Sequence, residues 1–524
     1  MIYLNKLVNV IDHKKLLFLL FCITIFFLIF DTGFVSDDFS EINNIKKKQN
    51  FNPFLPFNTY INIPVLYYTH YIFFYFVSID NYIYISLIKF FYTLISFYMI
   101  SKFFNIFSSY HTSLLTSFLF IFWPTHDATV YFFLAQYLML TVAFQFYAYY
   151  LLSKNCFITA IIFSLLGSFI SYGSSPIAFA LATLFILNKS YKKSILIILP
   201  NIIYIIFYIF VSKIFYISSI SRIPNSFDWL NLVKNYIFQI ITLIDVNIGI
   251  SFVLKLYYSI LENNLVSLFF SIIFFILFLI LKKKSDQGFV KLNLDFKLLI
   301  ALTLIIFISL LMFSVTGGYY QNAFNLGNRV SIYSALIFSY LFVFLTNNKK
   351  ILLFSILFIA IIIFGISNHW KKATINQNKI IENIGRNQEL KNYNLNKVLF
   401  ITGSDYSKFG KFSHIEFFSA SHVAESIFSL KNLNHLTVKT LNNNFKFDGE
   451  YLIDQKFQNR KFFVDNDIVT YDTKTNLINV VNNNEINYYI DSLERNNRHW
   501  IQLQKNHYIG KIISKHFPSL DYLF

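Results

Sequence analysis

Two adjacent carboxylates follow the first long apolar run of the chain, within the sequence Ser36-Asp37-Asp38-Phe39. In a chain that is 56% hydrophobic, such a pair needs water or a cationic partner. Helical neighbours point about 100° apart, so we expect one carboxylate to act on a substrate and the other to orient it or to cap the following turn. The alternative is that Asp38 only caps a helix, together with Glu41. Carboxylates also suit hard cations, so Asp37 and Asp38 could hold a divalent ion.

A second polar group lies in the segment 317–329, GGYYQNAFNLGNR, which ends where an apolar run begins. Before residue 368 the chain has many lysines but only two arginines, Arg222 and Arg329. The planar fork of arginine binds phosphate through two parallel hydrogen bonds, so we predict that Arg329 binds phosphate, with Asn328 and Tyr320 beside it. The alternative is that Arg329 extends to lipid head groups. Arg222 is a weaker substrate-binding candidate.

The pair His126 and Asp127 occupies a short turn and is a weak substrate-binding candidate, as is Glu41. A pair of this kind more often ends a helix than binds a metal. Cys22 and Cys156 lie far apart in apolar runs, without metal-ligand spacing, so no metal site is predicted. The chain contains no P-loop or dinucleotide fingerprint, so no cofactor is assigned.

The elements that must position these residues are membrane helices, because the mean hydropathy is +0.52 and apolar runs recur from residue 16 to residue 367. We predict about eleven spans, at residues 16–34, 82–104, 112–124, 128–152, 156–172, 176–188, 194–216, 264–281, 298–316, 329–346 and 351–367. Two more apolar segments, 64–79 and 236–256, would break the alternation of lysine-rich loops. We therefore predict that both are interfacial or re-entrant helices.

The lysine-rich loops place the N-terminus in the cytoplasm and Asp37, Asp38 and Arg329 on the outer face of the membrane. The formal charge of +17 comes largely from such loops, so we do not expect nucleic-acid binding. We divide the chain into a transmembrane domain (1–367, with a first outer loop at 31–63), a linker helix (368–396) and an extracytoplasmic domain (397–524). Strands predicted at 397–402, 435–441 and 461–471, with a helix at 420–430, make the last domain a small α/β fold.

Together these features resemble the GT-C glycosyltransferases, in particular bacterial enzymes similar to protein mannosyltransferases and to transferases of lipopolysaccharide core sugars and aminoarabinose. The resemblance covers residues 1–367 and depends on the first-loop pair Asp37-Asp38 and on Asn328-Arg329. It implies an all-α polytopic membrane bundle in the bacterial inner membrane. Asp37 and Asp38 differ from the Asp-Glu or spaced pair of many members, and no Arg-Tyr-Leu-Pro run follows Arg329.

The resemblance also implies a function. A sugar would pass from a polyprenyl-phosphate donor to a glycan, lipid or protein acceptor of the cell envelope, with the first-loop acid serving the acceptor and basic residues holding the lipid phosphate. Three alternatives remain open: a polysaccharide polymerase or ligase, a lipid or glycan flippase, and a non-catalytic scaffold. A flippase would carry charges in mid-span, where Asp245 and Lys255 are the nearest candidates.

Overall fold

The structure, a computed structural model, is mostly helical with a small C-terminal sheet region. It describes residues 13–47, 51–54, 60–61, 63–214, 228–284, 294–316, 319–346, 349–393, 397–455, 461–503 and 507–516. Among the residues singled out from the sequence, Arg222, Gly317 and Gly318 lie outside these ranges.

The helices of the membrane part follow the apolar runs closely. They are α1 (His13–Ile29), α2 (Asp37–Lys47), α3 (Pro64–Thr69), α4 (Ile83–Phe104), α5 (Tyr110–Ile121), α6 (Ala128–Tyr131), α7 (Gln136–Ser153), α8 (Phe157–Ile170), α9 (Ser175–Leu187), α10 (Tyr191–Ile214), α11 (Trp229–Asn247), α12 (Ile250–Leu261), α13 (Leu265–Lys284), α14 (Phe296–Thr316), α15 (Ile332–Leu345) and α16 (Lys349–Arg386). Five shorter segments form 3₁₀ turns between them, at Tyr71–Tyr75, Pro124–His126, Phe133–Ala135, Tyr172–Ser174 and Leu326–Ser331.

Six helical segments among the described residues are long and apolar enough to cross a membrane. They are Ile83–Phe104, Tyr191–Val211, Trp229–Leu261, Phe296–Val315, Leu326–Leu345 and Phe354–Arg386. Five of them overlap predicted spans, and the other predicted spans contain shorter apolar helices. The structure supports a helical membrane protein with six candidate spans, whereas the count of eleven stays a prediction.

Trp229–Leu261 differs from the sequence prediction, which assigned residues 236–256 to the interface. The structure instead forms two consecutive helices, α11 and α12, that meet at Gly249 and together reach the length of a span. A side chain at Gly249 would lie 2.6 Å from the Asp245 Cα, so the tight junction requires glycine. The other segment, 64–79, forms only the short helix α3 and a 3₁₀ turn, too short to cross.

The C-terminal region adds four helices, α17 (Gln388–Asn392), α18 (Ser421–Leu430), α19 (Ile486–Ser492) and α20 (Tyr508–His516). Its strands are β1 (Leu399–Thr402), β2 (Tyr406–Phe409), β3 (Phe412–Glu416), β4 (Val438–Thr440), β5 (Phe445–Phe447), β6 (Tyr451–Asp454), β7 (Lys461–Phe463), β8 (Asp467–Asp472) and β9 (Leu477–Asn482). One sheet has the order β4-β1-β8-β9, with β1 parallel to β4 and β8. A hairpin, β2-β3, and a small sheet, β5-β6-β7, complete the region.

Helix α16 and helix α2 both join this region to the membrane helices. Helix α16 continues without a break from the last predicted span through most of the predicted linker. In addition, the amphipathic helix α2 packs its apolar face, with Phe39, Ile42 and Ile45, into one buried cluster with Val423 and Ile427 of α18. The first loop and the C-terminal domain therefore share a hydrophobic core.

Candidate functional site

Asp38 is fully buried and forms hydrogen bonds with the backbone of the protein. Its Oδ2 accepts a hydrogen bond from the Val35 N–H at 3.0 Å, and its Oδ1 accepts one from the Leu134 N–H at 3.2 Å. Burial raises the pKa of Asp38 to about 8, against the opposing influence of these donors and of the Lys89 charge. Both oxygens of Asp38 thus tie the start of α2 to the loop before α7.

Asp37, the first residue of α2, differs sharply from its neighbour because its side chain is half exposed. Its Oδ1 lies 3.2 Å from Nε2 of His422, in the first turn of α18. The hydrogen bond with His422 and, to a smaller extent, the charge of Arg329 lower the pKa of Asp37. An ionised, water-accessible carboxylate therefore stands where the first loop meets the C-terminal domain.

Arg329 lies in the 3₁₀ turn Leu326–Ser331 that leads into α15. Its guanidinium carbon lies 5.3 Å from the ring centre of Tyr319, and Nη2 is 3.4 Å from the Tyr319 hydroxyl. Arg329 also borders a narrow cavity with Tyr137, Tyr172 and Tyr333. The side chain is therefore positioned by aromatic contacts and surrounded by hydroxyl groups that can share an anionic ligand with it.

Asp37 and Arg329 are close enough for their charges to interact, although 292 positions separate them in the chain. Tyr71 and Tyr137 belong to the same electrostatic neighbourhood: burial and the nearby carboxylates of Glu41 and Asp37 raise the pKa of Tyr71 well above its ordinary value. We call these five residues, Asp37, Glu41, Tyr71, Tyr137 and Arg329, the Asp37–Arg329 cluster. It combines two carboxylates, of which that of Asp37 is half exposed, with one guanidinium and two phenol groups.

Two of the residues predicted to bind phosphate face other partners. Asn328 is fully buried, accepts a hydrogen bond from the Ala128 N–H at 3.1 Å and donates to Asp127. The Tyr320 hydroxyl donates to Asn235 Oδ1 at 3.0 Å. Both side chains have partners inside the protein, and their phosphate-binding role stays a prediction. Tyr319 takes the place beside Arg329.

Glu41 lies one turn after Asp37 and is half buried. Its Oε2 accepts a hydrogen bond from the Tyr60 hydroxyl at 3.1 Å, and Tyr60 stacks on Tyr71 with ring centres 4.5 Å apart. Glu41 does not form the predicted capping pair with Asp38, because both oxygens of Asp38 bond backbone N–H groups elsewhere. It instead supports the aromatic wall of the cluster.

His126 and Asp127 belong to a buried network and do not face a substrate-sized space. Both nitrogens of the His126 ring are occupied, by Thr129 Oγ1 at 2.7 Å and the Phe120 carbonyl at 2.6 Å. Burial lowers the pKa of His126 to about 4. Neither side chain reaches solvent, and the substrate-binding role of His126 and Asp127 stays a prediction.

Asp127 instead joins four elements of the fold. It lies 3.2 Å from Lys255 Nζ, 2.8 Å from His414 Nε2 and 2.7 Å from Trp370 Nε1, and it accepts a hydrogen bond from Asn328. Burial opposes ionisation, but the Lys255 charge and the His414 hydrogen bond outweigh it and lower the pKa of Asp127. This Asp127 network attaches hairpin β2-β3 of the C-terminal domain to α12 and α16.

Sequence reasoning missed His422, Tyr319 and Lys89. Lys89 lies inside α4, fully buried, and donates to the carbonyls of Gly33 at 2.7 Å and Tyr131 at 3.0 Å. A lysine in an apolar run was a usable signal, since such residues need internal partners. No local pattern around His422 or Tyr319 could indicate their partners in distant segments.

A metal site finds no support in the part of the chain that the structure describes. No group of three or more His, Cys, Asp or Glu side chains there could hold an ion. Asp37 and Asp38 also bond different partners, on the His422 side and the Val35 side respectively, so they do not form a shared cation site. Cys22 is half buried and Cys156 is exposed, and both are free thiols.

Comparisons with known proteins do not identify the class of this protein. No protein-family model, curated protein or solved structure matches the chain. What the fold and the site define together is a helical membrane protein in which an acidic side chain, Asp37, stands where the first loop meets the C-terminal domain, within range of the charge of Arg329.

Proposed function

We propose that this protein is a membrane glycosyltransferase that moves a sugar from a polyprenyl-phosphate donor to a cell-envelope acceptor on the outer face of the bacterial cell membrane. The N-terminus would then be cytoplasmic and the C-terminal domain extracytoplasmic. The observation that carries the proposal is that the half-exposed Asp37 carboxylate lies within range of the Arg329 charge. It supports a site with one group for each substrate.

In the proposed reaction, Asp37 accepts the proton of an acceptor hydroxyl while that oxygen attacks the anomeric carbon of the donor. The bond between the anomeric carbon and the phosphate oxygen breaks, and polyprenyl phosphate leaves with the bonding electrons. Arg329 stabilises the negative charge that develops on the leaving phosphate, and the Tyr319 hydroxyl lies within reach to assist. A single displacement of this kind inverts the anomeric centre.

The two carboxylates have separate roles in this proposal. Asp37 is the candidate base because it is ionised and water-accessible. Asp38 is a positioning residue because its oxygens bond the backbone of residues 35 and 134 and fix the first turn of α2.

Substitution of each carboxylate tests this division. Proteoliposomes would be supplied with a panel of synthetic undecaprenyl-phosphate sugars and a cell-envelope extract, and transferred radioactive sugar would be counted. We expect Asp37→Asn to lower turnover about 10²–10⁴-fold with folding unchanged, because a positioned base contributes about that much. Asp38→Asn should instead lower the thermal stability. Unchanged turnover in Asp37→Asn would contradict the mechanism. The mechanism would also be contradicted if the wild-type protein moved the lipid across the membrane without transferring its sugar.

The role of Arg329 can be tested without knowing the sugar. Undecaprenyl phosphate, the common product, should bind the wild-type protein, and Arg329→Gln should weaken that binding about 10-fold or more, because hydrogen bonds to charged groups contribute about 1.5–3 kcal/mol. Arg386→Gln is the matched control, since Arg386 is exposed and pairs only with Glu382 at 3.5 Å. Equal effects of the two substitutions would remove Arg329 from the donor site.

A further inference from the structure

A polar cleft lies between helix α16 and the C-terminal domain, apart from the Asp37–Arg329 cluster. Its volume is about 620 Å³, in the range of small-molecule binding sites. The α16 wall includes Asn376, Gln377 and Asn383, and the opposite wall includes Ser404, Ser407 and Tyr406. Amides and hydroxyls thus face each other across a space large enough for several sugar units.

One side chain of this cleft is buried with an unused donor. Gln377 is only 5% exposed, yet its Nε2 has no hydrogen-bond partner among the described residues. A buried amide N–H without a partner costs about 1–3 kcal/mol, so such a group indicates a ligand or water that completes it. Asn383, six residues later on the same helix, also lines the cleft, so both amides border it.

An adjoining pocket of about 290 Å³ extends the cleft along the carboxyl ends of strands β1 and β8. This is the edge of a parallel sheet at which ligands commonly bind. Asp405 lines the pocket, and its buried Oδ1 also has no partner in the described part of the chain. Burial raises the pKa of Asp405 to about 7, so near neutral pH this carboxyl can either donate or accept a hydrogen bond.

The charges of the cleft are mixed, with four lysines against two glutamates. Lys372 lies 3.1 Å from Glu262, and Lys408 and Lys474 each lie 3.2 Å from Glu494. The ion pairs offset part of the positive charge, so the cleft has no field of a single sign, which a nucleic acid or a polyphosphate would favour. Groups that both donate and accept hydrogen bonds match hydroxyl groups, each of which has one donor and two acceptor sites.

From these observations we propose that the cleft between α16 and the C-terminal domain binds a saccharide chain and is the acceptor site of the protein. The acceptor role rests on the proposed function, whereas saccharide binding is inferred from the cleft alone. Ring contact links the two sites: Phe417 of the cleft wall packs against Phe39, two residues after Asp37, with ring centres 5.9 Å apart. A saccharide in the cleft would thus lie next to the helix that carries the candidate base.

The experiment measures saccharide binding directly. The full chain in detergent micelles would be applied to an array of defined bacterial surface oligosaccharides of two to six sugars, and affinities for bound members would be determined by calorimetry. We expect the wild-type chain to bind at least one oligosaccharide. Gln377→Leu should weaken that binding about tenfold through loss of a buried amide hydrogen bond. Gln388→Leu, at an exposed position outside the cleft, should leave it unchanged.

Further variants separate the possible failures. Asn383→Leu should also weaken binding, and it serves if Gln377→Leu does not fold. Asp37→Asn should keep saccharide binding while it loses transfer, so failure of the catalytic mechanism would leave the cleft proposal intact. The cleft proposal is overturned if the wild-type chain binds no oligosaccharide on the array. It is also overturned if the cleft variants bind as tightly as the Gln388→Leu control.

Discussion

Replacement of Lys255 by methionine removes the lysine charge that contacts Asp127 while it keeps a similar side-chain volume. Lys255 is fully buried, with Nζ 3.2 Å from Asp127 Oδ1 and 3.1 Å from His414 Nε2. Its ammonium group also lies 4.5 Å from the ring centre of Phe409. All of these contacts connect α12 to the hairpin β2-β3 or to the turn at Asp127, so the substitution acts at the junction of the two domains.

The expected loss is about 3 kcal/mol. Removal of one partner of a buried ion pair costs about 3–5 kcal/mol because the other charge stays buried. The lower end applies here, since Asp127 keeps its hydrogen bond from Trp370 at 2.7 Å and a second one from Asn328. At about 1.4 kcal/mol per factor of ten, the opening equilibrium of the domain junction should shift by about 150-fold.

Two measurements on the purified chain in micelles would detect this shift: the denaturant midpoint by tryptophan fluorescence, and the rate at which a protease releases the C-terminal domain. Lys372→Met is the matched control, because Lys372 is exposed and pairs with Glu262 at 3.1 Å on the surface. Exposed pairs contribute about 0–1 kcal/mol, so this variant should resemble the wild type.

Acid pH provides an independent check. Burial, and then the charge of Lys255, lower the pKa of His414 to about 4. In Lys255→Met the repulsive charge is gone, so the pKa of His414 should rise and the protonated ring should pair with Asp127. The deficit of the variant should therefore shrink between pH 7 and pH 5. A Lys255→Met chain as stable as the Lys372→Met control, or a deficit that grows in acid, would refute the reasoning.

Two other predictions concern stability. Burial lowers the pKa of His70 to about 3 and those of His126 and His414 to about 4, so the unfolded chain, with histidine pKa values of about 6.5, binds more protons between these limits. These three histidines should lower the stability as the pH drops from about 6.5 to 4, whereas Asp38 and Asp405, whose pKa values are raised in the folded chain, act in the opposite direction. The test is therefore a comparison: the stability of His414→Gln should fall with a slope about one proton smaller than that of the wild type. A Cβ at Gly365 would lie 1.7 Å from a carbonyl oxygen of α12. Gly365→Ala should therefore lower the free energy of unfolding by about 1–3 kcal/mol or more, measured by thermal unfolding. Gly385→Ala is the control, because the nearest atom to a Cβ there lies 3.2 Å away and belongs to a flexible lysine side chain. Equal losses of stability in the two variants would contradict the packing argument.

The sequence predicted helices well because apolar length is a local property. The predicted span 82–104 corresponds to Ile83–Phe104, and the predicted strand 397–402 contains Leu399–Thr402. The segment 236–256 was less predictable, because lysine alternation is a rule about whole topology and says nothing of the helix pair whose junction depends on Gly249. The helices alone therefore could not decide how many segments cross the membrane.

The site was less predictable, because its residue types were visible in the sequence but their partners were not. Adjacent Asp37 and Asp38 could be singled out as unusual, yet only packing shows that one is exposed and the other bonds the backbone at Val35 and Leu134. His126 and Asp127 looked like a surface pair, although Asp127 meets Lys255 and His414, which are 128 and 287 positions away. Such contacts between distant segments have no signature in a single sequence.

The contacts of the C-terminal domain connect its docking to the chemistry of Asp37. His422 of that domain is the largest influence that keeps the pKa of Asp37 low, and His414 of the same domain binds the Asp127 network. Loosening of the junction by Lys255→Met should therefore raise the pKa of Asp37 even though the two positions share no contact. If the proposed mechanism holds, the acid limb of the pH–rate profile should move to higher pH in this variant. An acid limb that stays in place while the protease releases the domain would show that His422 does not control the base.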